Sequence, residues 1–443
     1  APSPTTDQER MRLTLQDLLL HLHAPRVPKR AIKINYTFGL GVLSTVLFLT
    51  LAITGMLLMF VYTPTPDGAY DSMKALRSDI WLGQLVRNIH HWSANLMLIL
   101  VTLHMLRVFY TAAFHHPREF NWILGLVLLV LVAMSNFTGY LMPWDQLSYW
   151  AVTIGTSMIE YIPVFGQDLS DAILGGPEVG AATLRTFFAF HVALFPFLIA
   201  VTVSYHLWRV RKDQITLPRD LDEPPPDRRK VERVTTVPHL VNLEIAGGLI
   251  LLALLFGFSA FVDAPLIEAA DPNHPPNPSK AAWYFMGVQE LLMHFHPQFV
   301  SFVIPVLVGA ALLLLPYLDY HPDRAPDVRG IWFRSRRGRR QSALAATIGV
   351  VGTVLLVIID EFWLDLPDVF PNVSTLISNG VIPLVIPLIF LVAYYWLLLR
   401  RGATRTEANQ ALFTLLFMAF ITLTVIGQFF RGENMALMYP WDV

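Results

Sequence analysis

Residues 81–112 read WLGQLVRNIHHWSANLMLILVTLHMLRVFYTA. The run is apolar and, as a helix, long enough to cross a bilayer. It carries His90 and His104, fourteen residues apart. That spacing is close to four full turns, so both imidazoles lie near one face, roughly 21 Å apart along the axis. Residues 185–210 repeat the device with His191 and His206, fifteen apart. If the two helices run in the same direction across the membrane, His90 lies level with His191 and His104 with His206. A single intramembrane histidine reads equally well as an interhelical hydrogen bond. Two matched pairs at one interval read instead as the axial ligands of two haems, one near each membrane surface, because an intramembrane imidazole without a task is costly.

The composition sets the class. The chain has 443 residues, 54% of them hydrophobic and 15% charged, with mean hydropathy +0.50. Soluble domains carry about 25% charged residues. Nine apolar runs, at about 35–62, 81–112, 121–142, 185–210, 239–263, 298–318, 342–363, 381–399 and 411–431, predict transmembrane helices. The expected fold is all-α: a polytopic membrane protein of about nine transmembrane helices with a four-helix dihaem bundle. There are no cysteines. That excludes disulfides, thiolate metal sites, thioether-linked haem and iron–sulfur ligation by this chain. A net charge of −1 gives no sign of a nucleic-acid partner.

Lysine and arginine set the orientation. With the N-terminus cytoplasmic, 26 of the 32 basic residues fall on the cytoplasmic side. The other side holds Lys74, Arg77, Arg87, Arg185, Lys280 and Arg431. The expectation is a bacterial-type cytoplasmic membrane, N-terminus inside and C-terminus outside, with His90 and His191 near the outer surface. Residues 1–34 are polar, then amphipathic, without the apolar core of a signal peptide, and read as an interfacial segment. Residues 35–210 form the dihaem domain and 211–238 a polar, proline-rich cytoplasmic linker. Residues 239–363 form a three-helix domain, and 364–443 add two helices. The basic run RSRRGRR at 334–340 reads as a topology signal, with lipid head-group contact as the alternative. The external segments 143–184 and 263–297 are long enough to be functional.

Glycines repeat the histidine interval. Gly41 and Gly55 are fourteen apart, as are Gly125 and Gly139. Small residues let transmembrane helices approach closely. The shared interval points instead to room for two flat macrocycles.

The stretches WLGQLVRNIHHWSANLMLILVTLHMLRVF, PREFNWILG and TGYLMPWDQLSYWAV, with the His191–His206 helix, resemble cytochrome b of the Rieske/cytochrome b complexes. The fifteen-residue interval resembles the bf-type branch of chloroplasts and cyanobacteria. The resemblance covers roughly residues 27–215. Residues 239–363 resemble, more weakly, the second half, which is a separate subunit in bf-type complexes and is fused here. The resemblance implies the electron-transfer subunit of a quinol–cytochrome c reductase-like complex. It implies two noncovalent b-type haems on His90/His191 and His104/His206, with Arg87 and Arg107 near the propionates. Pro143, Trp144 and Asp145 match the outer quinol-site motif, and Trp283 and Tyr284 match the end of a Pro-Glu-Trp-Tyr motif. Implied partners are quinone, lipid, a Rieske iron–sulfur protein and a c-type cytochrome, in a multi-subunit, dimeric complex.

Two departures matter. The second motif reads Ala281-Ala282-Trp283-Tyr284, so its glutamate is absent. Glu290 is the only carboxylate between Asp271 and Asp319 and is the expected substitute base; its alternative is an ion pair with His294, four residues on, or with a partner subunit. His294 and His296 are further relay candidates, and Asp145 the next carboxylate to consider. The missing glutamate also leaves room for a second reading, a quinone-linked membrane anchor of another oxidoreductase. A transporter with proton-relaying histidines is a third, without the inverted repeats that such proteins show. The other departure is Gly39, which stands where some bf-type members attach an extra haem through cysteine. A haem-stained denaturing gel of this chain should therefore be blank; a stained band at its mass would refute the reading.

Overall fold

A computed structural model describes Thr6 and residues 23–221, 230–318 and 329–441. The amphipathic part of the N-terminal segment and the middle of the 211–238 linker lie outside the described residues. Among the described residues, nine helices are long and apolar enough to cross a membrane. In chain order they are α1 (Leu40–Met59), α3 (Gly83–Tyr110), α4 (Glu119–Tyr140), α7 (Ala181–Asp213), α8 (Thr236–Phe261), α10 (Phe299–Tyr317), α11 (Arg336–Phe362), α12 (Ile377–Arg400) and α13 (Arg405–Phe429). Four shorter helices of at least nine residues lie between them: α2 (Pro66–Ser78), α5 (Gln146–Glu160), α6 (Gly166–Leu174) and α9 (Met286–His294). The external stretch 143–184 is thus not a plain loop but carries α5 and α6. The linker is pinned as well: β2 (Arg233–Thr235) pairs antiparallel with β1 (Arg26–Pro28).

The first apolar run begins later than hydropathy alone suggests. Phe38 and Gly39 are both left-handed, with φ of 52° and 65°, which stops the short turn at Ile34–Thr37 before α1 starts. Side chains at positive φ are strained unless they are glycine, so Gly39 carries this break.

In the four-helix bundle α1 packs on α3, α3 on α4 and α4 on α7. Its core joins Leu47 of α1, Ile89 and Met97 of α3, Val132 of α4 and Ile199 of α7. Most other apolar side chains on these helices are half-buried or exposed, Leu49, Val130 and Phe197 among the exposed, as a lipid-facing surface requires. α8 lies against α1 and α3.

The last helix is not peripheral. α13 packs along α11 and against α9. Near its N-terminal end Gln410 donates to the carbonyls of Phe109 and Tyr110, at 3.3 and 3.2 Å, and the Phe413 ring lies tilted 4.4 Å from that of Phe109. α13 thus ties the three-helix region to the end of α3. Its approach to α11 is close at Gly349, where a Cβ would sit 2.5 Å from the Leu415 carbonyl oxygen. At Gly352, on the same helix, a Cβ would meet nothing within 4 Å. Gly349→Leu should therefore lower stability in detergent by about 1–3 kcal/mol through overpacking, while Gly352→Leu leaves it unchanged. Equal midpoints for the two variants in thermal unfolding would contradict this packing.

Candidate functional site

α3 and α7 meet through their histidines. The His90 and His191 ring centroids are 6.1 Å apart with planes at 77°, and those of His104 and His206 are 6.5 Å apart, also at 77°. Metal–imidazole bonds of about 2.0–2.1 Å on either side of one ion would separate ring centroids by about 6.3 Å. Both pairs therefore span the distance that an iron between two axial imidazoles needs. No group of three or more His, Cys, Asp or Glu among the described residues could hold a metal by itself. This donor set suits a macrocycle that brings its own equatorial nitrogens.

The unequal intervals in sequence have a local cause. Residues Phe190–Leu194 form a π-helical turn at His191, with the Phe195 amide donating to the Phe190 carbonyl. Such a turn takes in one residue more than an α-turn. Fifteen residues on α7 thereby cover the rise of fourteen on α3.

Each of the four glycines lies against one of the four imidazoles. A Cβ at Gly41 would come within 3.4 Å of His104 Cε1, and at Gly55 within 3.2 Å of His90 Cε1. On the other side, a Cβ at Gly125 would approach His206 Cε1 to 3.8 Å, and at Gly139 His191 Cε1 to 2.4 Å. The order reverses between partners, as antiparallel neighbours require, so α1 backs the rings of α3 and α4 those of α7. Cε1 lies between the two ring nitrogens, so the glycines border the edge of each ring that carries both of them.

Hydrogen bonds set the outer tautomers. Thr54 Oγ1 donates its proton to the Thr50 carbonyl at 2.7 Å and so accepts from His90 Nδ1–H at 2.9 Å. His191 Nδ1–H donates to the Ser135 carbonyl at 2.9 Å. Both Nε2 lone pairs are thereby free for a ligand role. Neither Thr54 nor Ser135 was evident from the sequence, because a hydroxyl on an apolar helix has many bland uses.

The two arginines differ. Arg107 donates through Nε to the Tyr36 carbonyl and lies 4.2 Å over the Tyr36 ring. Its Nη2 is buried with no hydrogen-bond partner, one turn from His104, where an anionic group would satisfy it. Arg87 Nη1 donates to the Ala264 carbonyl at 2.9 Å and Nη2 to that of Pro265. With Asn88 and Trp92 it fastens α3 to the end of α8.

The outer aromatic segments converge on the same end. Trp283 Nε1 donates to Asn95 Oδ1 on α3 at 2.6 Å, and Phe285 meets Phe137 of α4 at 5.5 Å. Tyr284 packs on the cluster that contains Ile89, and its buried hydroxyl has no partner. Pro143 precedes a tight turn in which Trp144 has φ of +52°. Trp144 is buried with Leu141, Tyr149 and Phe187, a cluster that Phe137 also touches. Phe137 thus links the two motifs. Asp145 caps α5: Oδ1 accepts from the Ser148 amide at 2.9 Å and Oδ2 from the Ile267 amide at 3.4 Å. Both its oxygens serve the backbone.

Glu290 lies in a fully buried ion pair. Arg431, just beyond α13, donates through Nη2 to Glu290 Oε1 at 2.7 Å and through Nε to both carboxylate oxygens. Both side chains are 0% exposed. Arg431 Nη1 reaches Glu361 Oε2 at 2.8 Å. The expected contact to His294 is also present, Nε2 to Oε1 at 3.2 Å, while Nδ1 contacts Asp360 Oδ2 at 2.6 Å. Carboxylates only accept, so both ring nitrogens donate and His294 is an imidazolium. Burial would raise the Glu290 carboxyl, but hydrogen bonds from His294 and Arg431 outweigh it and hold it below the usual carboxylate range. Burial would lower His294, but its bonds to Asp360 and Glu290 outweigh that and push it up to about 9. His296 stands apart, with its ring 6.3 Å from Tyr161.

A family model described as cytochrome b/b6/petB matches residues 27–214. Cytochrome b6 of Heliomicrobium gestii is 42% identical over 185 residues, which cover 42% of this chain and 87% of that protein. Cytochrome b6 of Prochlorococcus marinus strain NATL1A is 38% identical over 216 residues, covering 49% of this chain and 98% of that one. A solved chain described as hyperthermophilic respiratory Complex III superposes with a TM-score of 0.66 at 24% identity, over 95% of this chain and 98% of the other. The fold likeness therefore extends through the C-terminal helices, which the cytochrome b6 relatives do not reach.

The raised His294 group has a consequence for stability. Its contribution is complete below the unfolded value of about 6.5 and is lost as pH rises through about 9. The thermal midpoint of the purified protein should fall across that interval, and His294→Gln should flatten the fall. The same slope in both proteins would count against the imidazolium assignment.

Proposed function

Because the chain belongs to the cytochrome b/b6 family, we propose that it is the dihaem subunit of a membrane quinol:cytochrome c-type oxidoreductase, oxidising quinol near the outer face and passing electrons across the membrane. The chain is a multi-pass membrane protein and an electron-transfer subunit of a quinol oxidoreductase. The observation that carries the finer reading is the pair of imidazole separations, 6.1 and 6.5 Å.

His90 and His191 would hold the outer haem, and His104 and His206 the inner one. When bound, the haems would supply one-electron transfer, and these four imidazoles are the residues that would hold them. Gly41, Gly55, Gly125 and Gly139 keep the edges of the four imidazoles clear of side chains. Arg107 offers its unpartnered Nη2 to a propionate on the inner side. Arg87 steadies the outer end and stands one turn from His90.

At the outer end Trp283, Tyr284, Pro143 and Trp144 would line the quinol site. The unpartnered Tyr284 hydroxyl is the group there best placed to hold a quinol oxygen. Phe137, Phe285 and Trp144 exclude water from it. Asp145 orients α5 rather than taking a proton. The chain has no cysteine, so an iron–sulfur acceptor must come from another subunit; a Rieske protein and a c-type cytochrome are the proposed partners. Ala282, where the family places a carboxylate, favours a second reading: a quinone-linked anchor without bifurcation. Subunits retained after mild-detergent purification separate the two.

Replacing His104 with leucine tests the ligand assignment. The reduced-minus-oxidised spectrum should lose the inner b-type component and keep the outer one, with half the haem per chain. Loss of both components from a folded chain, or of neither, would overturn the pairing.

A further inference from the structure

We propose that Glu290, His294 and Asp360 form the outlet by which protons leave the outer quinol site for the outer aqueous phase, with Arg431 holding the path in place. The proposal rests on quinol oxidation at the outer end as assigned above.

The three side chains stand in line from the interior to the surface. Glu290 is 0% exposed, His294 11% and Asp360 37%. The imidazole joins them through its two different nitrogens, Nε2 inward at 3.2 Å and Nδ1 outward at 2.6 Å. A simple structural clamp needs only the Glu290–Arg431 pair. An imidazole bridging two carboxylates of different exposure adds a route, because it can release a proton at one nitrogen and accept one at the other.

The inner end of the route adjoins the aromatic segment. α9 follows directly from the Trp283–Phe285 turn. Glu290 lies six residues beyond Tyr284, about 9 Å along a helix axis. The neighbouring Gln289 accepts from the Ala281 amide at 2.7 Å and donates to the Ser279 carbonyl at 2.7 Å. The backbone leading to Ala282 is thus bound to the helical turn that carries Glu290, and the proposed route needs a short chain of waters from Tyr284 to Glu290.

The step moves protons only. A quinol O–H bond breaks and its proton passes through those waters to a Glu290 oxygen. His294, protonated on both nitrogens, gives its Nδ1 proton to Asp360 and keeps the one on Nε2; the ring then turns over, and the bared nitrogen takes the Glu290 proton. Asp360 releases its proton to solvent. The electrons leave separately to the acceptors of quinol oxidation. Glu290 is held ionised, so a proton is passed on rather than stored. Its brief neutralisation does not strand Arg431, which keeps Glu361 as a counter-ion at 2.8 Å. That second carboxylate removes the usual cost of discharging one partner of a buried pair. The charged groups facing His294 are Glu290 on its own helix and Asp360 from α11; Glu361 of α11 and Arg431 beyond α13 complete the cluster.

The test uses the purified complex with all its subunits. Asp360→Asn and His294→Gln both leave the Glu290–Arg431 pair intact. Each should slow quinol-dependent reduction of the outer haem at least about tenfold, shift its pH profile, and be partly rescued by imidazole buffer. Asp360→Glu should restore the rate. Dithionite should still reduce both haems in every variant. Wild-type rates and pH profiles in both variants would overturn the outlet. So would slowing with no rescue and no change in pH profile, which marks a structural role. Failure of the unmodified complex to accept electrons from any quinol, while dithionite reduces it, would instead sink the quinol reading itself.

Discussion

The bundle depends on the gap held between two pairs of imidazoles. Two transmembrane helices gain little from packing directly on each other in lipid, since the tails are as apolar as their side chains. Here α3 and α7 are kept at the separation their histidines set, and α1 and α4 do the bracing. Each brace reaches the rings through glycine, at Gly41 and Gly55 on one side and Gly125 and Gly139 on the other. A side chain at Gly139 would enter the space of the His191 ring. The same helices supply the hydrogen bonds that settle the outer tautomers, Thr54 from α1 and the Ser135 carbonyl from α4. Steric support and proton position thus come from one pair of neighbours.

Much of this was legible because it is periodic. The nine spans follow from hydropathy, and the pairing of His90 with His191 and His104 with His206 follows from matched intervals on parallel-running helices. The glycines were legible as a set but not as contacts; only the antiparallel order assigns each to its ring. The odd residue between His191 and His206 was visible as a count, and its physical accommodation, a π-helical turn at Phe190–Leu194, was not. The short helices in 143–184 were missed because their apolar residues are interleaved with turn formers such as Pro163 and Gly166, and so give no long run.

The outer end was the least legible region, because its chemistry is long-range. The Glu290 contact to His294 is four residues away and could be anticipated. The contact to Arg431 is 141 residues away, and no local pattern announces it. Arg431 looked like a stray external cation among few others, whereas it is fully buried. Asp145 stands in a quinol-site motif, and its structural contacts were equally hidden in the sequence: its oxygens accept from the Ser148 and Ile267 amides.

These two facts bear on why the C-terminal helices are there. A carboxylate buried at Glu290 requires a cation, since an unpaired charge in that position costs several kcal/mol or more. α9 itself supplies His294, which is already shared with Asp360. The remaining cation must come from another element, and it comes from the end of α13, which is also fastened near its N-terminal end by Gln410 to α3. The helix that neutralises the outer carboxylate is therefore anchored to the helix that carries His90 and His104. Position 282 is alanine, and the buried carboxylate of this segment is Glu290, whose cation comes from the end of α13. Removing α13 would leave that charge unpaired, so the buried carboxylate and the last helix are physically coupled.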